Sequence, residues 1–216
     1  GIRAVHGHGF MGTPFTGIDE VRRAVRENIA KGVDVIKIFI TGGIFDADFR
    51  VDTYFYTEEE IKAVVEEAHR VGRPVAAHAM GGPGLLLALK SGVDTIEHAY
   101  YLTDEAIDLF VERGAYLIAT YAREWDPRTV PSDAGSQRKH MEWVEGLRRT
   151  FPKAVKAGVK FGVGTDGRLG IMANAAEILV DLGLTPMEAI RAVTRYSAEA
   201  CGAIDNVGTL ETGKIA

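Results

Sequence analysis

Three observations predict an α/β fold of the (β/α)8 barrel type. First, an amphipathic helix that ends at a glycine and runs straight into an apolar strand occurs five times, at 21–40, 61–79, 85–99, 106–122 and 151–166. Second, the strands are continuous apolar runs, the pattern of parallel strands covered on both faces. Third, residues able to do chemistry stand near the C-terminal ends of the strands: His6 and His8, Lys37, His78, His98, Thr120 and Asp166. Strand C-termini ring one mouth in a barrel, whereas in an open doubly wound sheet they lie along a line. A convergent set of histidine, lysine and aspartate fits the ring better.

The chain opens with IRAV (2–5), a strand-like run followed by His6-Gly7-His8. In the helix over 21–32 the apolar residues recur at helical spacing, and Gly32 stands where a left-handed C-cap is expected. Gly72, Gly92, Gly114 and Gly158 occupy the same place in the later units. The strand VDVIKIFI (33–40) carries a lysine, Lys37, between two isoleucines. Either this lysine faces water from an edge strand, or it is a working group inside the barrel. Gly42-Gly43 follows without the lysine-serine pattern of a phosphate loop. The stretch 123–146 is polar, with two prolines, and reads as a long loop above the mouth. The tail over 184–202 reads as a helix pair, with Thr185 as N-cap, Pro186 in the first turn and Glu188 at the third position. Cys201, inside that tail, reads as a small core residue. The six strands counted are two short of a barrel, and the missing pair is expected before Gly1. The expected organisation is one partial barrel domain over 1–216, without the N-terminal strands and a flanking β-sandwich.

Composition narrows the function classes. The 216 residues are 46% hydrophobic and 25% charged, within the globular range. Net charge is −5 and no basic block occurs, which argues against nucleic acid as a partner. No apolar run reaches the length of a membrane span, and no signal peptide is visible, so a cytoplasmic location is expected. The single cysteine, Cys201, rules out an intramolecular disulfide. Open sheet edges predict association into a homo-oligomer.

Two histidines, an aspartate and a lysine at neighbouring strand ends form a nitrogen- and oxygen-rich set that suits zinc and tolerates manganese, iron or cobalt. The stretches VDVIKIFITGG (33–43), AAHAMG (76–81), TIEHAYYL (95–102), FGVGTDG (161–167) and GLTPMEAIRAVTRYSAEACG (183–202) with GTLETGKIA (208–216) resemble the metal-dependent amidohydrolase superfamily. The likeness is to its imidazolonepropionase-like and Xaa-Pro dipeptidase (prolidase)-like branch and covers nearly the whole chain.

The resemblance implies that Lys37 reacts with carbon dioxide to give a carbamate bridging two divalent metals, with His78, His98 and Asp166 as further ligands. It implies that Asp166 handles the proton of a hydroxide shared by the metals. An apolar setting favours the neutral, nucleophilic amine such chemistry needs. The implied activity is hydrolysis of an amide bond in an Xaa-Pro dipeptide or an N-acyl amino acid. The family's His-x-His pair belongs on the first strand, whereas IRAV stands directly before the lysine strand. His6 and His8 are therefore expected at the mouth, meeting substrate, with the first-strand ligand assignment as the alternative. Tyr100 and Arg123 are further substrate-binding candidates, Arg123 for a carboxylate. His69 is expected to be solvated, and His140 to lie in the polar loop. Two rival readings stand beside the hydrolase: a Schiff-base lyase using Lys37 as an amine, and a non-catalytic barrel fragment.

Overall fold

The computed structural model describes residues 1–9, 12–43, 50, 52–121, 134–166 and 172–215. Its strands are β1 (Ile2–Arg3), β2 (Thr13–Pro14), β3 (Ile36–Phe39), β4 (Val75–Gly81), β5 (Thr95–Tyr101), β6 (Tyr116–Ala119) and β7 (Lys160–Val163). All are parallel and form one sheet in the order β2-β1-β3-β4-β5-β6-β7. The six expected strands are present. The seventh, β2, is a two-residue segment with a proline, placed at the edge where a missing N–H costs no ladder bond. β1 pairs directly with the lysine strand, as its position in the sequence implies.

The helices are α1 (Ile18–Ala30), α2 (Glu58–His69), α3 (Gly82–Lys90), α4 (Asp104–Arg113), α5 (Ala134–Ala157), α6 (Met172–Asp181), α7 (Pro186–Arg191) and α8 (Ser197–Ala200). Each of the five glycines expected to end a helix has a left-handed φ, between 66° at Gly114 and 88° at Gly158. Thr57 and Glu60 form a capping box at the start of α2, and Thr185 and Glu188 do the same for α7. Glu60 also accepts the Gly17 N–H at 2.6 Å, so one side chain ties the start of α2 to that of α1. Three expectations are corrected. The polar stretch after Thr120 is helical from Ala134 onward, as α5, because Trp143, Leu147, Phe151 and Ala154 give it a buried apolar stripe. The tail is one continuous helical run over 186–200, with a π-helical turn at Ala192–Tyr196, rather than a helix pair. Cys201 follows that run and is exposed, not part of the core.

The strands place their apolar residues outward against the helices. Ile36, Ile38 and Ile40 of the β3 segment are buried with Val21, Ala24 and Val25 of α1 and Ile61 and Val64 of α2. Since successive strand side chains point to opposite faces, Lys37 and Phe39 lie on the other face, the inner one.

Helices α1 and α2 are locked together by a carboxylate. Glu67, 7% exposed, accepts hydrogen bonds from Arg26 Nε at 2.6 Å and from Arg22 Nη1 at 3.1 Å. The Arg26 guanidinium, helped by Arg22, lowers its pKa to about 2 against the opposing effect of burial. Because the folded-state value is depressed, the stabilisation is complete above the ordinary carboxylate range and is lost as pH falls from about 4.5 toward about 2. Both arginines reach solvent, which screens the pair, so Glu67→Ala is expected to cost about 2 kcal/mol near neutral pH, from strandings of charge of the kind that follow loss of a partner. That corresponds to a fall in Tm of about 4–8 °C. Thermal unfolding of both proteins at neutral pH and at pH 3 checks it: the gap between them shrinks at the lower pH.

Candidate active site

Register brings the candidate residues to one rim. Lys37 pairs with Ala76, Phe39 with His78, His78 with Glu97, and Ala79 with His98. The rings of His78 and His98 meet edge-on at 4.5 Å between centroids, and those of His8 and His78 at 4.3 Å. Phe39 touches both His8 and His78 at 5.9 Å, and the Lys37 ammonium position lies 5.2 Å from the Phe39 centroid. His8 fits here because residue 43 is glycine: a Cβ there would lie 2.3 Å from His8 Cε1. The glycine pair that resembled a phosphate loop thus makes room for an imidazole.

Two side chains that should point apart share this face. Glu97 contacts the Lys37 amine through Oε2, while its neighbour His98 faces His78. In a regular strand consecutive residues alternate. Here His98 and Ala99 have φ of 79° and 47°, left-handed values for residues with a Cβ, and the β4–β5 register shifts just beyond them. The strand turns at this point and delivers both side chains to the same side. Among the described residues, Asp166 is the third non-glycine residue with a positive φ, 47°. All three such residues lie at the candidate site, where stored backbone strain tends to concentrate.

Electrostatics keep the imidazoles neutral. Burial drives His78 far below its ordinary pKa, with His98, His8 and Lys37 adding to the effect. Burial does the same to His98, joined by Lys37 and His8. His78 Nε2 lies 3.2 Å from the Gly42 carbonyl, which can only accept, so Nε2 carries the proton and Nδ1 keeps the lone pair. His98 Nδ1 bonds the Thr120 hydroxyl at 2.7 Å, leaving Nε2 as its other nitrogen. Such outer contacts orient imidazoles that act as ligands. Burial also lowers the Lys37 pKa to about 7, opposed by the Asp166 carboxylate.

The structure therefore brings Lys37, His78, His98 and His8 together, with Asp166 exposed but near enough to act on Lys37. His6 is exposed on the turn after β1 and away from these ring contacts. Tyr100 is buried and stacks parallel to His98 at 6.3 Å, with Trp143 stacked at 5.4 Å from it. Arg123 lies outside the described residues, as do residues 167–171. His69 bonds Asp94 at 2.7 Å while remaining 41% exposed, and His140 is buried in α5 beside Trp143, not in a loop. Glu97 is the residue that sequence reasoning missed. Among the described residues, no three His, Cys, Asp or Glu side chains are grouped so as to hold a metal ion. The donors nonetheless fit a divalent cation chemically: two neutral imidazoles with one nitrogen each already oriented, and a lysine that becomes an oxygen donor once carboxylated. Next to Tyr100 opens a cleft of about 580 Å³, walled by Tyr101, Leu102, Glu142 and Arg149 among others.

Comparison with known proteins identifies the family and fold of the chain. The amidohydrolase family model matches residues 1–216. Ochratoxinase from Aspergillus niger is 34% identical over 192 residues, covering 86% of this chain and 40% of that protein. Its crystal structure superposes with a TM-score of 0.86 over 98% of this chain and 51% of that one. A Xaa-Pro dipeptidase crystallised with methionine in its active site is 33% identical, with a TM-score of 0.82 over 99% of this chain and 55% of that one. The chain thus spans about half the length of the relatives it matches, and its parallel sheet is the barrel sheet of those enzymes. By the family model, the chain belongs to the amidohydrolase family.

Proposed function

We propose that the chain contributes the metal-binding and proton-transferring half of an amide hydrolase acting on Xaa-Pro dipeptides or N-acyl amino acids. The observation that carries this reading is the meeting of His78, His98 and Lys37 at the ends of three adjacent strands, with both imidazoles held neutral by burial. His78 through Nδ1, His98 through Nε2, Lys37 as its carbamate and Asp166 would hold a divalent cation, with zinc suiting the mixed nitrogen and oxygen donors. When bound, the cation supplies Lewis acidity toward the substrate carbonyl and lowers the pKa of a water.

The protein's own groups do the rest. In hydrolysis a water oxygen bonds to the carbonyl carbon, the C–N bond breaks, and a water proton ends on the leaving nitrogen. Asp166, exposed at the rim, takes that proton and hands it over. Phe39 and the stacked Tyr100 wall the imidazoles off from water, which strengthens every charge interaction between them. The cleft beside Tyr100 is of a size for a small ligand, but Lys37, His78, His98, His8 and Asp166 do not line it, so it carries no part of this reading. The name of the Xaa-Pro dipeptidase relative supports the dipeptide part of this substrate class.

The test is to strip the protein with a chelator, restore zinc, and assay Xaa-Pro dipeptides and N-acyl amino acids. Turnover is expected to vanish on stripping and return with the metal. Turnover that survives stripping would end the proposal.

A further inference from the structure

Lys37 and Glu97 lie on β3 and β5, with β4 between them. Two strand spacings separate their backbones by about 9–10 Å, a gap that only two long side chains can bridge. The residue in register with Lys37 on the intervening strand is Ala76, whose small side chain leaves the path across β4 open. Alternate strands of a barrel contribute to the same interior layer, which is where such a pair belongs. The positive φ values at His98 and Ala99 let β5 present Glu97 to Lys37 without taking His98 away from His78. Glu97 is 28% and Lys37 22% exposed, so the contact is partly shielded from water.

We propose that Glu97 is the positioning residue for the Lys37 carbamate, holding Nζ in place while the new carboxylate points to the imidazoles. The inference rests on the hydrolase reading above and deepens it. The reaction balances simply. The Nζ lone pair bonds the carbon of carbon dioxide, one N–H proton leaves to solvent, and the product is a carbamate anion that retains a single N–H. A free ammonium offers three donors, but a carbamate offers one, so its orientation depends on where that one is accepted. Glu97 Oε2, the carboxylate oxygen in contact with that nitrogen, would be the acceptor. A charged acceptor would make this the stronger kind of hydrogen bond. The cost is a second negative charge near the carbamate, which a divalent cation held by His78 and His98 would offset.

The experiment supplies carbon-13 bicarbonate and zinc to the full chain and reads the carbamate carbon by NMR, alongside bound zinc by elemental analysis. Wild type, Lys37→Ala, Glu97→Ala and Glu97→Gln are compared, with circular dichroism confirming that each is folded. The expected result is a carbamate signal in wild type that is absent in Lys37→Ala. In Glu97→Ala the signal and the zinc affinity fall about ten-fold or more, the size of effect seen when a ligand's supporting partner is removed. Glu97→Gln, whose amide oxygen still accepts, falls in between. Full carbamate and zinc in Glu97→Ala would overturn the positioning role and leave the hydrolase reading intact. No carbamate in zinc-loaded wild type would overturn both, and the two failures are told apart by the wild-type spectrum alone.

Discussion

Lys37→Ala is expected to lower kcat/KM toward an Xaa-Pro or N-acyl substrate at least a hundred- to a thousand-fold, the range that follows deletion of one group stabilising charge in an active site. The argument starts from burial. Lys37 sits between Ile36 and Ile38 on a strand whose other face is core, and desolvation lowers its pKa to about 7. Burial thus shifts it toward the unprotonated amine, the form able to attack carbon dioxide, against the pull of the Asp166 and Glu97 carboxylates toward the ammonium. The same amine could attack a carbonyl substrate, which is the lyase reading. The two differ in what restores the alanine variant. A small carboxylic acid occupying the vacated space replaces a bridging carboxylate, whereas a small primary amine replaces a Schiff-base nitrogen. Partial recovery with acetate or propionate and none with ethylamine is the expected pattern. Recovery with the amine, or trapping of a carbonyl substrate on Lys37 by borohydride, would turn the assignment to the lyase. His78 and His98 weigh against that outcome, because Schiff-base chemistry has no use for two neutral, oriented imidazoles beside the lysine.

The helix–glycine–strand repeat made most of the scaffold legible. Left-handed glycines and apolar runs are local signals, and local signals survive without tertiary context. The convergence of Lys37, His78 and His98 was legible for a related reason: equivalent positions in successive parallel strands end at one rim whatever the details of packing. What escaped depends on departures from regularity. β2 is two residues long and contains Pro14, so no period announces it. Glu97 was hidden because strand alternation assigns it to the face opposite His98, and nothing in TIEHAYY foretells φ of 79° and 47° at residues 98 and 99. The role of Gly43 was equally invisible, since it depends on His8 folding back over the sheet from 35 residues earlier. The helical start of α5 was masked by polar residues at its beginning, its apolar stripe gathering only from Trp143 onward.

Asp166→Asn is expected to lower kcat a hundred- to ten-thousand-fold while leaving the fold in place, the contribution typical of a positioned proton-transfer group. The backbone makes asparagine the right probe. Asp166 has a φ of 47°, a conformation that asparagine adopts about as readily as aspartate and that alanine resists. An alanine variant would mix backbone strain with loss of the carboxylate, whereas asparagine isolates the charge. Asp166 is exposed, so its loss leaves no buried partner stranded and circular dichroism should be unchanged. A second readout separates its role from that of Lys37. The Asp166 carboxylate opposes the lowering of the Lys37 pKa, so its removal favours the neutral amine still further. With zinc supplied in excess, so that the weaker asparagine ligand does not empty the site, carboxylation of Lys37 should therefore persist in Asp166→Asn, with a carbamate signal near wild type beside a collapsed kcat. If kcat stays within a few-fold of wild type, the proton must travel by another group, and His8, 4.3 Å ring to ring from His78, is the next side chain in position to carry it.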